Sequence, residues 1–391
     1  MRILITRSNP ISPDSRVEKE AESLTHLGHR VIILGWDRSS RYPEKKDILK
    51  NAYGSADIYR FGIPGAFGAG INNLKALREF QKETYNWMLQ HRDEFDAIHA
   101  CDFDNGIVAK KAAKRLNKLF VYDVFDYYAA CHKIPFNLNG IVARAENNVI
   151  SSADATIICS EQRVEQIQGS NPKKLFIIHN APHMGLLNAA SEKFKLQADG
   201  TPRIKIGYVG ILSRARLLEE IVEFVSGRPD VELHIGGFGQ LESFMREKAD
   251  QFSNIFFYGK LPYSDALALE MQMDILTAIY DPSVPNHYYA APNKFYEALM
   301  LCKPLIMIKN TGMDKTVKDN KLGEVIEFSK EGFEIGVDKL ISYRDKWNEI
   351  AEREKTIFNS DYSWEIMEKR LGELYSELES STKRMVDFNR K

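Results

Sequence analysis

Short apolar runs alternate along the chain with longer segments whose apolar residues recur at helical spacing. Near the start, RILIT (2–6) and RVIILGW (30–36) flank an amphipathic segment at 15–28. This order predicts a strand, a helix that ends at Gly28 and a second strand. The residues of that helix expected to face the core are Val17, Ala21, Leu24 and Leu27.

The same alternation continues and predicts two α/β domains in tandem. Further strands are predicted at 96–100, 119–124, 154–160 and 175–180, and then at 204–210, 231–237, 254–259, 273–279 and 304–308. Helices are predicted near 216–226, 240–250 and 292–302, with a charged helical stretch at 338–380. Because the strand runs are almost continuously apolar, we expect parallel sheets covered on both faces. The predicted fold class is α/β, with two doubly wound, Rossmann-like domains and a polar linker at 188–203.

Composition excludes several classes of protein. The 391 residues are 44% hydrophobic and 27% charged with a net charge of −1, which is unlike a strongly basic nucleic-acid-binding protein. The four cysteines lie far apart without metal-ligand spacing, so neither a disulfide framework nor a zinc site is expected. No apolar run reaches the ~18 residues of a membrane span. The apolar N-terminal stretch is too short for a signal peptide, and the expected location is the cytoplasm.

The stretch YYAAPNKFYEALMLCKPLI (288–306) carries the strongest candidate chemistry. Pro292 suits the start of a helix and places Asn293 and Lys294 in the first turn, where the helix dipole is positive. A phosphate bound there would meet free backbone N–H groups together with Lys294. Glu297 lies one turn later, where its carboxylate can accept hydrogen bonds from a vicinal diol such as a ribose. The alternative is a Lys294–Glu297 ion pair on an exposed face.

This stretch resembles a helix of the retaining glycosyltransferases of family 4, which have the GT-B fold. The family commonly carries PSK or PNK and then FEYMAAGKPVI, and here PNKFYEALMLCKPLI stands in that place. The resemblance implies that Glu297 binds the ribose of the donor nucleotide. Many members carry a second glutamate, eight positions earlier, that contacts the donor sugar; that position is Tyr289 here, which leaves the sugar open.

Other segments of the second half resemble the family in the same order. IGYVGILSRARLLEEIVEF (206–224) is similar to the strand and loop in which a basic residue holds the donor diphosphate; Arg216 fits that role best and Arg214 second. HIGGFGQLESF (234–244) resembles a glycine turn, and FYGKLPYSDALALEMQMDILTAI (257–279) a segment whose backbone reads the base. The donor-binding residues that the resemblance implies are Gly210, Arg216, Gly237, Lys260, Leu261, Asn293, Lys294 and Glu297.

The first half resembles the family less closely. AIHACDFDNG (97–106) is similar to the pattern DvIHaHDld, in which Cys101 replaces the second histidine, so His99 and Asp102 are the remaining catalytic candidates. A histidine in an apolar strand is also commonly a core residue. DVFDYYA (123–129) is similar to DsHElf. The acceptor-side candidates are Asp14, Arg16 and Asp126, and the alternative role of Asp14 is to cap a helix.

The resemblance implies domains at 1–187 and 200–358, facing across a cleft, with a closing helix about 360–380 that returns to the first domain. The implied reaction moves a hexose-type sugar from a nucleoside diphosphate, UDP above all, to a hydroxyl of a glycan or lipid-linked acceptor, with retention. No metal cofactor is expected, because Arg216, Lys294 and helix N-termini would neutralise the diphosphate. Two alternatives stay open: a GT-B nucleotide-sugar epimerase, and a non-catalytic partner subunit that binds the nucleotide-sugar.

A basic helix is the remaining feature of note. The segment KKAAKRLNK (110–118) carries Lys110, Lys111, Lys114, Arg115 and Lys118. Its two interpretations are a solvated helix face and a peripheral contact with an anionic membrane, at the inner face of the cell membrane.

Overall fold

The chain folds into two compact units. The computed structural model describes residues 1–66, 70–131, 138–190, 192, 194–197 and 200–388. The first unit consists of Met1–His179 together with Met367–Lys391, and the second of Asn180–Ile366. The first unit therefore ends at His179 and not at residue 187 as expected. Residues 191, 193, 198 and 199 of the predicted linker lie outside the described residues.

A mostly parallel sheet forms the centre of the first unit. Its strands are β1 (Arg2–Thr6), β2 (Arg30–Asp37), β3 (Tyr42–Asn51), β4 (Gly54–Gly62), β5 (Ala97–Cys101), β6 (Leu119–Val124), β7 (Ala155–Ile158) and β8 (Leu175–Ile177). Their order in the sheet is β3-β4-β2-β1-β5-β6-β7-β8, and the β3–β4 pair alone is antiparallel among these described strands. The chain starts at β1 and adds strands on both sides of it, which is a doubly wound arrangement.

Helices cover the strands of this sheet. They are α1 (Ser15–His26), α2 (Leu74–Gln90), α3 (Phe103–Leu116), α4 (Tyr128–Cys131), α5 (Asn139–Ser152) and α6 (Arg163–Gln166). Helix α1 begins where predicted, because the Asp14 side chain accepts a hydrogen bond from the Val17 N–H at 3.3 Å and caps it. Val17, Ala21 and Leu24 are buried as expected. Leu27 is not, because it lies at the C-cap and is 40% exposed.

The second unit contains a wholly parallel sheet. Its strands are β9 (Ile204–Leu212), β10 (Val231–Gly239), β11 (Ile255–Phe257), β12 (Ile275–Ala278), β13 (Leu305–Ile308) and β14 (Gly323–Ile326). The sheet order is β11-β10-β9-β12-β13-β14. The first strand of the unit, β9, again lies inside the sheet, with later strands added on both sides. The predicted second doubly wound domain is therefore confirmed.

The helices of the second unit alternate with these strands. They are α7 (Leu218–Ser226), α8 (Glu242–Gln251), α9 (Tyr263–Met271), α10 (Pro285–Tyr288), α11 (Asn293–Leu301), α12 (Asp314–Asp319), α13 (Lys330–Ser342) and α14 (Trp347–Ile357). A π-helical turn at Phe358–Tyr362 follows α14. Apolar side chains on both faces of the sheet are buried, among them Ile206, Ile235 and Phe333. Each unit thus has its own apolar core.

The last helix returns to the first unit, as predicted. Helix α15 (Trp364–Phe388) belongs to the first unit from Met367 onward. Its apolar side chains Met367, Leu371, Leu374, Tyr375 and Leu378 are at most 2% exposed. The Tyr375 hydroxyl lies 2.9 Å from His99 Nδ1 in β5. The first unit is therefore completed by the C-terminal end of the chain.

Strands β3 and β4 were not predicted. Strand β3 is an edge strand whose side chains are mostly exposed, so its sequence lacks the apolar run of a central strand. Its partner β4 has buried residues, but they do not alternate regularly with exposed ones. Among the described residues, no helix combines the length and the apolar character needed to cross a membrane.

Candidate functional site

The strand order of the second sheet reverses between β9 and β12. Strands β10 and β11 lie on one side of β9, and β12, β13 and β14 lie on the other. In open α/β sheets, ligands bind beyond the carboxyl ends of the strands at such a reversal. The loops that follow β9 and β12, together with the start of α11, are therefore where a ligand of this unit is expected.

Arg216 lies at this position and is held in place by its own unit. Its Nη1 donates to the Ile279 carbonyl oxygen at 3.0 Å, just after β12. Its guanidinium lies over the Tyr280 ring at 3.6 Å from the centroid, a cation–π contact. By contrast, the Arg214 side chain is 74% exposed, and its Nε lies 3.8 Å from a carboxylate oxygen of Glu219. Arg216 is thus fixed against the loop after β12, whereas Arg214 is exposed, and the role of either in binding a diphosphate stays a prediction.

Lys294 lies between two buried carboxylates. Its Nζ is 2.6 Å from Glu297 Oε2, one turn along α11, and 2.6 Å from Glu270 Oε1 in α9. Both carboxylates are nearly inaccessible, with 2% and 4% of the Glu270 and Glu297 side chains exposed. The Lys294–Glu297 pair that the spacing allowed therefore forms, but it is buried and not on an exposed face.

The surroundings of Lys294, Glu270 and Tyr263 shift the pKa values of these three groups. Burial opposes the charge of Lys294, but Glu270 and Glu297 outweigh it and hold the pKa of Lys294 above its ordinary value. Burial raises the pKa of Glu270, with Lys294 acting in the opposite direction. The Tyr263 hydroxyl donates to Glu297 Oε1 at 3.1 Å, so each oxygen of Glu297 accepts one hydrogen bond. Burial and Glu297 together raise the pKa of Tyr263.

Tyr280 follows β12 and packs against Arg216. Burial raises the pKa of Tyr280, while Arg216 and Lys294 act in the opposite direction. The structure thus joins Arg216 to the loop after β12, and Lys294 to Glu270 and Glu297. This cluster of Arg216, Glu270, Tyr280, Lys294 and Glu297 is called the donor cluster below.

Glu270 was missed by the sequence reasoning. It lies in the helix segment ALALEM (266–271), where a single charged residue in an apolar run is a signal that could have been used. A charged side chain in such a setting needs a partner of opposite charge. Lys294 is that partner, but the pairing joins α9 to α11 across the chain and is visible only in the fold.

Gly210 and Gly237 lie side by side, in register on β9 and β10. A Cβ atom on Gly237 would lie 1.9 Å from the Gly210 carbonyl oxygen, and Gly237 has φ of 153°. No other residue fits there, so the strand pairing alone requires this glycine. A role for either glycine in donor binding stays a prediction.

The remaining donor-side candidates lie near the carboxyl ends of the same strands. Lys260 is exposed, with its Nζ 5.0 Å from the Phe238 ring centroid. Leu261 is half-buried and packs against Gly236. Asn293, the first residue of α11, is exposed and accepts a hydrogen bond from the Asn180 side chain at 3.1 Å. Their predicted roles stay predictions.

Asp102 is the best-placed catalytic candidate of the first unit. It follows β5 and precedes α3, and its Oδ1 accepts hydrogen bonds from the backbone N–H groups of Phe125 and Asp126 at 3.1 and 3.2 Å. Its Oδ2 pairs with Arg7. Burial raises the pKa of Asp102 to about 6, with Arg7 acting against the shift. Its side chain is 20% exposed.

Two acceptor-side candidates lie next to Asp102. Asp126 is exposed, and its Oδ1 accepts from Arg163 Nη2 at 2.9 Å. Asp14 caps α1 and also accepts from Arg7 Nε at 3.2 Å. The capping role considered for Asp14 is therefore present, and the same carboxylate belongs to the polar network around Asp102.

The structure corrects the interpretation of Arg16 and His99. Arg16 is only 4% exposed, because its guanidinium bonds Glu20 at 3.0 Å and Asp123 at 2.8 Å beneath the sheet surface. His99 is fully buried against Tyr375. Arg16 therefore cannot reach an acceptor in this arrangement, and His99 is a core histidine and not a group exposed to substrate.

Within the described part of the chain, one side-chain group has the composition of a metal site. The ligand atoms of Glu20, His99, Cys101 and Asp123 lie within 4.8 Å of one another and are fully buried. Arg16 already donates to Glu20 and Asp123, so the cluster contains its own cation. Burial raises the pKa of the Cys101 thiol, which disfavours the thiolate that binds metals. These residues fit a structural ion network better than a metal site.

Comparison with known proteins identifies the fold. No family model matches the chain, and no curated protein sequence matches it either. The structure of sucrose-phosphate synthase from Thermosynechococcus elongatus matches with a TM-score of 0.76 at 15% identity, covering 97% of this chain and 100% of that one. The catalytic domain of starch synthase IV from Arabidopsis thaliana, bound to ADP and acarbose, gives a TM-score of 0.68 at 13% identity, with coverages of 96% and 99%.

A third solved structure supports the same assignment. HepE from Anabaena, in complex with UDP-glucose, gives a TM-score of 0.65 at 13% identity and covers 96% of this chain and 100% of that one. These structures have the GT-B glycosyltransferase fold, and the likeness extends over nearly the whole of each chain. The predicted GT-B fold is therefore confirmed. Membership of the retaining family 4 stays a prediction.

Proposed function

We propose that the protein is a glycosyltransferase that moves a hexose from a nucleoside diphosphate, UDP above all, to a hydroxyl of a glycan or lipid-linked glycan, with retention. The observation that carries the proposal is the donor cluster at the carboxyl edge of the second sheet. It combines two cations suited to a diphosphate with a carboxylate suited to a ribose diol, on a fold shared with structures that hold UDP-glucose and ADP.

The chemistry of the cluster follows from its charges. Arg216 and Lys294 would bind the diphosphate and stabilise the negative charge that develops on it as the sugar leaves. Lys294 is already paired with Glu270 and Glu297, so an arriving diphosphate adds negative charge to a group that holds two carboxylates and one ammonium. Because burial raises the pKa of Glu270, this carboxylate can take up a proton and leave Lys294 to the phosphate. Such a site requires no metal cofactor.

The experiment that tests the function is turnover of nucleotide-sugars by the purified protein. UDP-glucose, UDP-galactose, UDP-N-acetylglucosamine and ADP-glucose are incubated with glycan acceptors, with and without EDTA, and free nucleotide diphosphate is measured. We expect acceptor-dependent release that EDTA does not abolish, and a product whose anomeric configuration matches that of the donor by NMR. Conversion of a UDP-sugar without release of UDP would instead identify an epimerase. Binding of nucleotide-sugar without turnover would identify a non-catalytic binding subunit.

A matched pair of arginine variants tests the diphosphate contact. Arg216→Ala should weaken UDP binding by about ten- to a hundredfold, which corresponds to one charge-assisted contact, while uridine binding changes little. Arg214→Ala, two residues away and largely exposed, is the control and should leave both ligands unaffected. Equal losses of UDP and uridine binding in Arg216→Ala, or a larger effect of Arg214→Ala, would reject the role of Arg216.

We further propose a cytoplasmic location with peripheral contact at the inner face of the membrane through α3. Two of its basic side chains have contacts within the first unit: Lys110 with Asn148, and Lys111 with the Tyr85 ring. Lys118 follows the end of α3 and donates to the Phe95 carbonyl oxygen. Lys114 and Arg115 are exposed. Binding to vesicles of anionic lipid should weaken as salt is raised, and Lys114→Gln with Arg115→Gln should weaken it further, since each basic residue near such a surface contributes about 1 kcal/mol. Association that salt does not change would contradict a charge-based contact.

A further inference from the structure

A cavity lies in the first unit, lined by none of the residues of the donor cluster. Its volume is about 700 Å³, within the range of small-molecule sites. It lies beyond the carboxyl ends of β2 and β4, beside the loop that follows β1. It therefore lies at the carboxyl edge of the sheet, beside β1, where the strand order turns toward β5.

The cavity is lined by polar groups of mixed charge. Arg38, Lys45 and Arg60 contribute three positive charges, and Asp37 and Asp47 contribute two negative ones. Both carboxylates already accept hydrogen bonds inside the protein: Asp37 from the Tyr42 hydroxyl at 2.8 Å, and Asp47 from Arg60 Nη1 at 2.7 Å. The lining is therefore net positive, although the whole chain carries a net charge of −1.

Both guanidinium groups of the cavity are fixed by the protein. Arg38 Nη2 donates to the Ser8 carbonyl at 3.0 Å, and its guanidinium lies over the Trp36 ring at 4.0 Å. Arg60 Nε donates to the Pro10 carbonyl at 2.7 Å. Groups held in this way lose little conformational entropy when a ligand binds.

Lys45 completes the positive side from the edge strand. It pairs in register with Arg60, across the antiparallel β3–β4 ladder. Neighbouring residues of a strand point to opposite faces. Lys46 accordingly does not line the cavity: its Nζ lies 3.2 Å from Asp57 Oδ1 and over the Tyr59 ring. Lys45 and Lys46 therefore form a natural pair for testing the cavity.

A chain of polar contacts joins this cavity to Asp102. Asn9 lines the cavity and donates to Asp14 Oδ2 at 2.6 Å. Arg7 donates to the same oxygen at 3.2 Å and also pairs with Asp102. The loop after β1 thus fixes the cavity wall and the catalytic candidate to one another within the first unit.

We propose that this cavity binds the phosphate-bearing part of a phosphorylated sugar that serves as the acceptor. The inference rests on the proposed glycosyltransferase function. A phosphate ester would take charge-assisted hydrogen bonds from Arg38, Lys45 and Arg60, while hydroxyl groups of the sugar would find Asn9 and the carboxylates. The acceptor predicted from the resemblance, a glycan or lipid-linked glycan, then carries a phosphate near the accepting hydroxyl.

The test is calorimetric binding of glucose 6-phosphate, glucose and inorganic phosphate to the full chain without nucleotide. We expect glucose 6-phosphate to bind at least tenfold more tightly than either of the other two, with an affinity that falls as salt is raised. Lys45→Ala should weaken its binding about five- to tenfold, and Arg38→Gln about tenfold or more. Lys46→Ala is the matched control and should leave the affinity unchanged.

Three results would overturn the proposal. They are equal losses in Lys45→Ala and Lys46→Ala, binding of glucose as tight as that of its phosphate, and binding of inorganic phosphate as tight as that of the sugar phosphate. UDP binding and nucleotide release are measured on the same preparations. If the wild type fails to bind glucose 6-phosphate but still turns over the UDP-sugar, this inference alone is rejected, whereas absence of UDP turnover rejects the proposed function.

Discussion

At the scale of single residues, the donor cluster depends on Glu297. One of its oxygens accepts from the Tyr263 hydroxyl and the other from Lys294, so the carboxylate is fixed before any ligand arrives. A bound ribose would share these oxygens with their present donors, since each carboxylate oxygen can accept more than one hydrogen bond. The orientation of Glu297 is therefore set by the protein, which favours recognition of two adjacent hydroxyls.

Replacing Glu297 should remove the preference for a ribose diol. Two charge-assisted hydrogen bonds together contribute roughly 3–5 kcal/mol, so Glu297→Ala should lower kcat/KM by about two to three decades or more. Glu297→Gln keeps the shape and one acceptor, so it should have a smaller effect. The decisive measurement compares inhibition by UDP and by 2′,3′-dideoxy-UDP: the wild type should prefer UDP strongly, and Glu297→Ala should hardly distinguish them.

Tyr263→Phe serves as the control for Glu297. It removes the hydrogen bond to Glu297 but keeps the ring and the carboxylate. We expect Tyr263→Phe to retain most of the preference for UDP. If Glu297→Ala also retained that preference, the ribose contact would lie elsewhere and Glu297 would serve only as an ion-pair partner of Lys294.

A buried carboxylate of the first unit links stability to pH. Glu146 is fully buried, accepting from the Tyr122 hydroxyl at 3.0 Å and from the Tyr128 N–H at 2.9 Å, and burial raises its pKa to about 7. Because this pKa lies above the ordinary value of 4.5, the folded state binds the proton more tightly than the unfolded state. The resulting stabilisation is present below the ordinary pKa and is lost as pH rises toward 7.

Glu146→Gln should remove this dependence. Between pH 5 and pH 8 the unfolding free energy of the wild type should fall by about 2–3 kcal/mol relative to that of the variant. Urea unfolding at both pH values measures the difference, and Glu165→Gln, at an exposed position, is the control. A parallel pH dependence in wild type and Glu146→Gln would show that Glu146 is ionised throughout this range.

The residues that sequence reasoning placed correctly share one property: their environment is set locally. Asp14 caps the helix that it precedes, and Lys294 and Glu297 are one helical turn apart. Arg16 and Glu270 were misread or missed, because their partners Asp123 and Lys294 lie 107 and 24 residues away. A buried charge is interpretable only once its partner is known.

At the scale of secondary-structure elements, α15 stabilises the first unit through one buried polar contact as well as its apolar face. Tyr375→Phe should lower the unfolding free energy by about 1–3 kcal/mol, because it leaves His99 Nδ1 without its hydrogen-bond partner. Thermal unfolding of the variant measures this loss. Ser376→Ala, exposed on the same helix, should stay within about 0.5 kcal/mol of the wild type.

A different outcome would change the interpretation of this contact. If Tyr375→Phe were as stable as the wild type, the apolar side chains of α15 would account for its attachment. Truncation before Met367 would then still destabilise the first unit, since Leu371, Leu374 and Leu378 would no longer cover the core.

The elements that were predictable are those buried on both faces. Central strands such as β1, β5 and β6 have nearly uninterrupted apolar sequences, because helices cover the sheet on either side. Strand β3 has no such signal, since it lies at the sheet edge and most of its side chains are exposed. The position of β3 depends on its pairing with β4, which the sequence does not reveal. Because β3 forms one wall of the cavity in the first unit, that wall was not predictable either.

At the scale of the whole molecule, the two units should respond differently to nucleotide. If UDP binds the donor cluster, a concentration of 100 times its Kd should stabilise the second unit by about 2.7 kcal/mol. Hydrogen exchange followed by mass spectrometry should show added protection in peptides from Asn180–Ile366. Protection confined to peptides from Met1–His179 would contradict the placement of the nucleotide.

The division of the chain also has a consequence for its synthesis. Met1–His179 emerges from the ribosome first. Helix α15, which covers part of the core of the first unit, is synthesised only after Asn180–Ile366. Until then, the surface that receives Leu371, Leu374 and Tyr375 is open to water, although the strands beneath it are complete. We therefore expect the nascent first unit to expose apolar surface of the kind that chaperones bind until α15 has been synthesised.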